Sequence, residues 1–265
     1  MTDTTQFTPA LGVGGLISGS FSLVFRNFVP MLVLGGVPAL IGVVMNLAVF
    51  GSAQQNILLA VTDPELYAAT VTYVSPIMQG VVTLVGIVLW GIAIAAVTAG
   101  AYRALTGGSI NTGRALSIAL SRVFPVILCM IVTGIAVYLG IIALLLPGLY
   151  LMALWFVIVP AIVVEGRFFD SLGRSAALTK DYRWPLMGLI VIFLLIMILM
   201  TIVSTGALGL GFAMGTVGIV LANIIGVAVS GFFYAMAGAL GALTYARLVE
   251  IKEGTGISSL ADVFS

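Results

Sequence analysis

The densest gathering of groups able to do chemistry lies in residues 165–183, where Glu165 is followed by Arg167, Arg174, Lys180 and Arg183. A carboxylate among cations can contact a substrate or a lipid headgroup. It can also tie one helix to the next through an ion pair, and at the end of an apolar run that simpler use costs little. Two more arginines, Arg114 and Arg122, stand in the amphipathic stretch 109–122. Arg114, Arg122, Arg174, Lys180 and Arg183 are candidates for binding anionic phospholipid headgroups, each contributing on the order of 1 kcal/mol near an anionic leaflet. They form no dense polybasic block, so setting the topology of the chain is their more ordinary use.

Other chemistries find little support. There is no histidine, which removes imidazole acid–base catalysis and imidazole metal ligation together. The single cysteine, Cys129, lies in an apolar run and reads as a small buried hydrophobe rather than a reactive thiol. The methionines of the later apolar runs have no histidine or cysteine beside them and read as packing, so no metal or cofactor is implied. The glycine-rich stretch 206–218 lacks the Gly-Lys-Ser/Thr ending of a phosphate loop. No paired carboxylates and no nucleophile–base set converge, and the expectation is a non-enzymatic protein. A net charge of +1 gives no field to draw in nucleic acid.

The elements that hold these residues are set by composition. Of 265 residues, 62% are apolar and 7% charged, far below the roughly 25% charged of soluble domains. Uncharged apolar runs recur, each near the roughly 20 residues that cross a bilayer core. The expected fold is all-α, a polytopic integral membrane protein with six spans at about 28–50, 76–101, 123–145, 149–164, 186–204 and 219–243. Residues 11–254 form one membrane domain between polar tails at 1–10 and 255–265. Three short amphipathic stretches, 11–27, 109–122 and 168–184, are expected to lie at the interface with their apolar sides down. Pro147-Gly148 is expected to turn the chain between the third and fourth spans, and 205–218 to link the fifth and sixth.

All ten lysines and arginines fall on one side of this layout. The positive-inside rule then places both termini and both large basic loops in the cytoplasm. The first residues carry Asp3 and no positive run, and do not read as a cleavable signal peptide. No ionisable residue falls within the spans, which weighs against a proton- or ion-coupled transporter. Asn46, Gln79, Thr83, Thr98, Thr133, Thr201 and Asn223 are the polar groups near membrane depth; Asn223 and Gln79 could line a path, and an interhelical bond is the more usual role for them. Gly226, Ser230, Gly238 and Ala242 fall at i, i+4 spacings on the sixth span. They are read as a close-packing face inside the bundle, with a homo-oligomer contact second.

A basic residue, an aromatic and a proline recur at the mouths of spans one, three and five: Arg26 to Pro30, Arg122 to Pro125, and Lys180 to Pro185. The spacing is uneven, and interface anchoring alone could produce the pattern. Residues 120–185 also resemble a known family. Pro147-Gly148 with Tyr150, Pro160-Ala161, Glu165-Gly166, Ser171-Leu172, Arg174-Ser175 and Leu178-Thr179-Lys180, with Tyr245 and Arg247 later, look like its signature. They are similar to the membrane domain attached to some bacterial glycerophosphodiester phosphodiesterases, and to related stand-alone six-helix inner-membrane proteins. The resemblance implies a bacterial inner membrane. In such fusions the phosphodiesterase activity belongs to a separate soluble domain built on histidine and carboxylates with a metal ion, so it is not carried over. The readings that follow are membrane organisation, lipid homeostasis or support of a membrane-protein partner, and, from another class, a small-solute or amphipathic-molecule transporter.

Overall fold

The computed structural model describes residues 11–51, 60, 62–72 and 75–254; the two polar tails lie outside the described residues. Those described are helical throughout, without strands. In chain order the helices are α1 (Val13–Arg26), α2 (Phe28–Phe50), α3 (Pro64–Thr72), α4 (Pro76–Leu105), α5 (Thr112–Ser121) and α6 (Val123–Ala143). Then follow α7 (Leu145–Leu154), α8 (Ile158–Glu165), α9 (Asp170–Leu178), α10 (Arg183–Ala213) and α11 (Gly215–Glu253). Six helical units are long and apolar enough to cross a membrane: α2, α4, α6, α7 with α8, α10 and α11. The protein is a polytopic α-helical membrane protein.

Several boundaries differ from expectation, each for a local reason. The turn between α6 and α7 is made at Leu144, which is extended (φ −167°, ψ 146°), and Pro147 sits in the first turn of α7. Gly148 serves another purpose there. A Cβ on it would lie 2.9 Å from the backbone nitrogen of Ile141, so glycine is what lets α6 and α7 touch. The supposed link 205–218 is almost all helix, because in lipid the backbone must satisfy its own hydrogen bonds and glycine does not prevent that. The chain reverses only at Met214-Gly215, where Gly215 takes a left-handed φ of +72°. Gly211 and Gly218 then close the hairpin.

The fourth span is two helices. Pro160 has no N–H, and its ring would clash with the carbonyl of Phe156, so the helix breaks over residues 155–157. More than half of this span's apolar window is buried, 56% against at most 33% in the other five, which makes it the strut the rest packs around.

The short helices dock on the bundle. Leu16, Ser20 and Val24 of α1 are buried, and Gly19 abuts Leu243 of α11. Ala115 and Ala119 bury the inner face of α5, and Leu116 and Leu120 remain exposed. Both apolar faces therefore cover protein as well as facing lipid. Two of the three entries into spans share one geometry. Asn27 (φ −120°, ψ 38°) joins α1 to α2 and Arg122 (φ −114°, ψ 11°) joins α5 to α6. At each, the backbone N–H is shared between two carbonyls of the preceding turn, all at 3.2 Å. The third entry, from α9 to α10, is longer and contains Asp181 at φ +73°.

Candidate functional site: the charged end of the bundle

Glu165 closes α8, and Gly166 behind it adopts φ +72° as the helix stop. The carboxylate Oε1 accepts from Arg174 Nε at 2.6 Å and from the Tyr245 hydroxyl at 2.5 Å. Oε2 accepts no hydrogen bond, but Arg167 Nε stands against it as an ion pair. Arg174 reaches further, donating through Nη1 to Glu253 Oε1 at 2.5 Å. Its guanidinium is held protonated above the ordinary arginine range, by the Glu253 hydrogen bond first and by Glu165 after it, against the opposing effect of burial. The Tyr245 ring meets Tyr102 of α4 edge-on, centroids 6.1 Å apart. One carboxylate thus joins α8, α9 and α11, with α4 behind. Arg174 is saturated by two carboxylates and presents no free charge to a headgroup.

The break in the fourth span creates a second joint. Ile158 N–H bonds to the Trp155 carbonyl at 3.1 Å, which releases the Leu154 carbonyl from its usual partner. Ser175 Oγ donates to it at 3.0 Å, and Thr179 Oγ1 lies 3.1 Å away, sharing its one proton between this carbonyl and that of Ser175 at 2.8 Å. Ser171, Ser175, Leu178 and Thr179 are all buried. The α9 helix therefore packs into the broken span and does not lie flat on the surface, contrary to expectation. Its N-terminal end faces Cys129, whose buried sulfur is 3.7 Å from Ser171 Oγ.

Two further sequence candidates are engaged by the fold. Arg122 donates through Nη1 to the carbonyls of Ile162 and Val163 at 2.5 and 2.9 Å, satisfying the last turn of α8. Burial pulls its pKa below the ordinary arginine value. Arg183 lies over the Tyr150 ring, donates to its hydroxyl, and reaches the Ala176 carbonyl. Lys252 bonds Asp181 at 2.8 Å, and Arg247 pairs with Glu250 at 2.7 Å. Among the described residues that leaves Arg26, Arg103, Arg114 and Lys180 with neither an ion pair nor a side-chain hydrogen bond. Arg26, Arg114 and Lys180 are exposed, and Phe25, Phe28, Phe124, Phe169 and Trp184 expose their rings on the same rim.

The small residues of α11 are divided by the structure. Gly238 is pressed against Val97, where a Cβ would lie 2.6 Å from the valine side chain, and Ala242 is fully buried. Ser230 is half-buried, and the nearest atom to a Cβ on Gly226 is Ser204 Oγ at 3.8 Å. Steps of four drift about 40° each, so the row 226–230–238–242 winds around the helix. The straighter row is Gly231, Ala235, Gly238 and Ala242. Gly231 meets α2, where a Cβ would lie 2.7 Å from Gly36 Cα. The i+7 step from Gly231 to Gly238 was the signal to follow.

The polar groups at membrane depth are also turned inward on their own helices. Asn46, Thr83, Thr133, Thr201 and Asn223 each bond the carbonyl four residues back, at 2.8–2.9 Å. Thr98 is different, reaching the Gly238 carbonyl at 3.5 Å. The expectation of an interhelical bond is therefore corrected for Asn223, because a back-bond satisfies a side chain without any partner helix. Comparison with known proteins finds no matching family model, no similar curated protein and no similar solved structure.

Proposed function

We propose that this is a non-enzymatic, multi-pass protein of a bacterial inner membrane, with its charged end in the cytoplasm. There it engages anionic headgroups and supports membrane organisation, lipid homeostasis or a partner complex. The observation that carries this reading is the division of the cations. Six are engaged by carboxylates, carbonyls or a phenol. Among the described residues Arg26, Arg103, Arg114 and Lys180 have neither an ion pair nor a side-chain hydrogen bond, and they stand beside a rim of exposed aromatic rings. Cations beside aromatics at the ends of spans suit a headgroup layer. The likeness to the membrane domain of the phosphodiesterase fusions agrees with this reading. The rival reading, a transporter, would use Asn223 or Gln79 in a polar path, and Asn223 spends its amide on its own helix.

The test is lipid retention by the full chain, measured by native mass spectrometry after reconstitution with phosphatidylcholine and phosphatidylglycerol. The wild type is expected to retain phosphatidylglycerol preferentially, and the triple variant Arg26→Glu, Arg114→Glu, Lys180→Glu to lose that preference. Equal retention by both proteins would overturn the headgroup reading.

A further inference from the structure

A shallow, open cleft lies at the charged end between α4, α5 and α8. Its floor is apolar, including Ala99, Ala115 and Ile118, and its mouth carries Arg103 and Arg114. Among the described residues no carboxylate lines it. The local fold builds this arrangement. The chain reverses after α4 at Gly107 (φ +82°), and Gly108 lies so close that a Cβ would be 3.0 Å from Arg103 Cγ. A side chain there would push Arg103 from its place. Asn111 caps α5 by accepting from Arg114 N–H at 2.9 Å, which fixes the second arginine in the first turn of α5, lining the same cleft. Two of the four cations left without an ion pair or a side-chain hydrogen bond among the described residues thus share one apolar cleft.

We infer that this cleft binds one anionic phospholipid, with its phosphate held between Arg103 and Arg114 and an acyl chain laid on the apolar floor. The inference rests on the reading that the charged end meets an anionic leaflet. Guanidiniums suit a phosphate because their planar donors match its oxygens, and this cleft carries two. The apolar floor selects an ester with a hydrocarbon tail over a free phosphate, since a bare anion gains nothing from that surface. Arg103 ends a span, which is the depth at which a headgroup sits.

The full chain, purified in mild detergent and titrated with phosphatidylglycerol, tests this by native mass spectrometry. The variant Arg103→Gln/Arg114→Gln is expected to bind about tenfold or more weakly. Arg103→Lys/Arg114→Lys should restore part of that, which a merely unfolded variant could not do. Ala99→Leu fills the floor without touching charge and should weaken binding too. Arg247→Gln, a cation outside the cleft that is paired with Glu250, should bind as the wild type does. Inorganic phosphate should fail to compete; equal competition would point to a soluble phosphoester and overturn the lipid assignment. Unchanged binding by the double glutamine variant, with wild-type preference for phosphatidylglycerol intact, overturns the cleft alone. No preference in the wild type overturns the broader headgroup reading as well.

Discussion

Replacing Glu165 by alanine should destabilise the protein through the joint it forms, and the geometry sets the size. Glu165 is 16% exposed and Arg174 19%, so the pair is largely out of water. Breaking one side of a buried pair costs roughly 3–5 kcal/mol. Two features lower that figure here. Arg174 keeps Glu253 at 2.5 Å, and some water reaches both groups. Against that, the Tyr245 hydroxyl loses its charged acceptor, worth about 1.5–3 kcal/mol. The expected net cost is about 3 kcal/mol. Arg167→Ala removes a partner that is 48% exposed and should cost less than about 1 kcal/mol.

The assay is reversible unfolding in mixed micelles, run as a cycle on Glu165 and Tyr245. Tyr245→Phe alone should cost about 1.5 kcal/mol, and adding it to Glu165→Ala should cost almost nothing more, because the shared bond is already gone. Glu165→Gln should fall between, since it keeps an acceptor and loses the charge. If Glu165→Ala proves no more costly than Arg167→Ala, or if the two effects simply add, Glu165 is not the joint described. A defect in folding or assembly is the expected phenotype, ahead of any loss of catalysis.

Other outcomes follow from the same contacts. Ser175→Ala and Thr179→Val should each cost about 0.6 kcal/mol, typical of bonds inside membranes, while the double variant should exceed their sum by about 1 kcal/mol because it strands the Leu154 carbonyl; unfolding free energies decide this. Gly231→Ala places a methyl 2.7 Å from Gly36 Cα and should cost about 1–3 kcal/mol, whereas Gly226→Ala meets only Ser204 Oγ at 3.8 Å and should be neutral or slightly stabilising. Asp181 has its pKa lowered below 3.8, chiefly by the Lys252 hydrogen bond. The stabilisation from this pair should be complete above that value and disappear as the pH falls through the lower folded one. Lys252→Gln should flatten this part of the stability profile, read as unfolding midpoints on an acid titration.

Fold class and span number were legible because apolar runs of membrane length are a strong one-dimensional signal. The joints were not, because each is made by a partner distant in sequence. Pro160 was visible in the chain, and a break near it follows from its missing N–H. That Ser175 and Thr179 would satisfy the released carbonyl depends on α9 folding back, and their hydroxyls read as polar surface until then. Glycine misled in two ways. Gly148 and the stretch 205–218 suggested turns, and the structure uses most of them for close helix approach. Counting the row on α11 by fours missed Gly231, whereas alternating fours and threes keeps one face.

The same division of cations determines what a charge reversal reports. Reversing Arg174 places a third carboxylate beside Glu165 and Glu253, so any loss of lipid would first reflect a broken joint. Arg122 and Arg183 carry the same difficulty, since the first ends α8 and the second holds Tyr150. Lys180 is exposed and its reversal disturbs no ion pair among the described residues. Of the five basic residues that the sequence offers as headgroup contacts, only Arg114 and Lys180 can therefore test lipid binding without testing the fold. Arg103, which composition marks merely as a span-end anchor, becomes the more informative residue, because it shares the apolar cleft with Arg114.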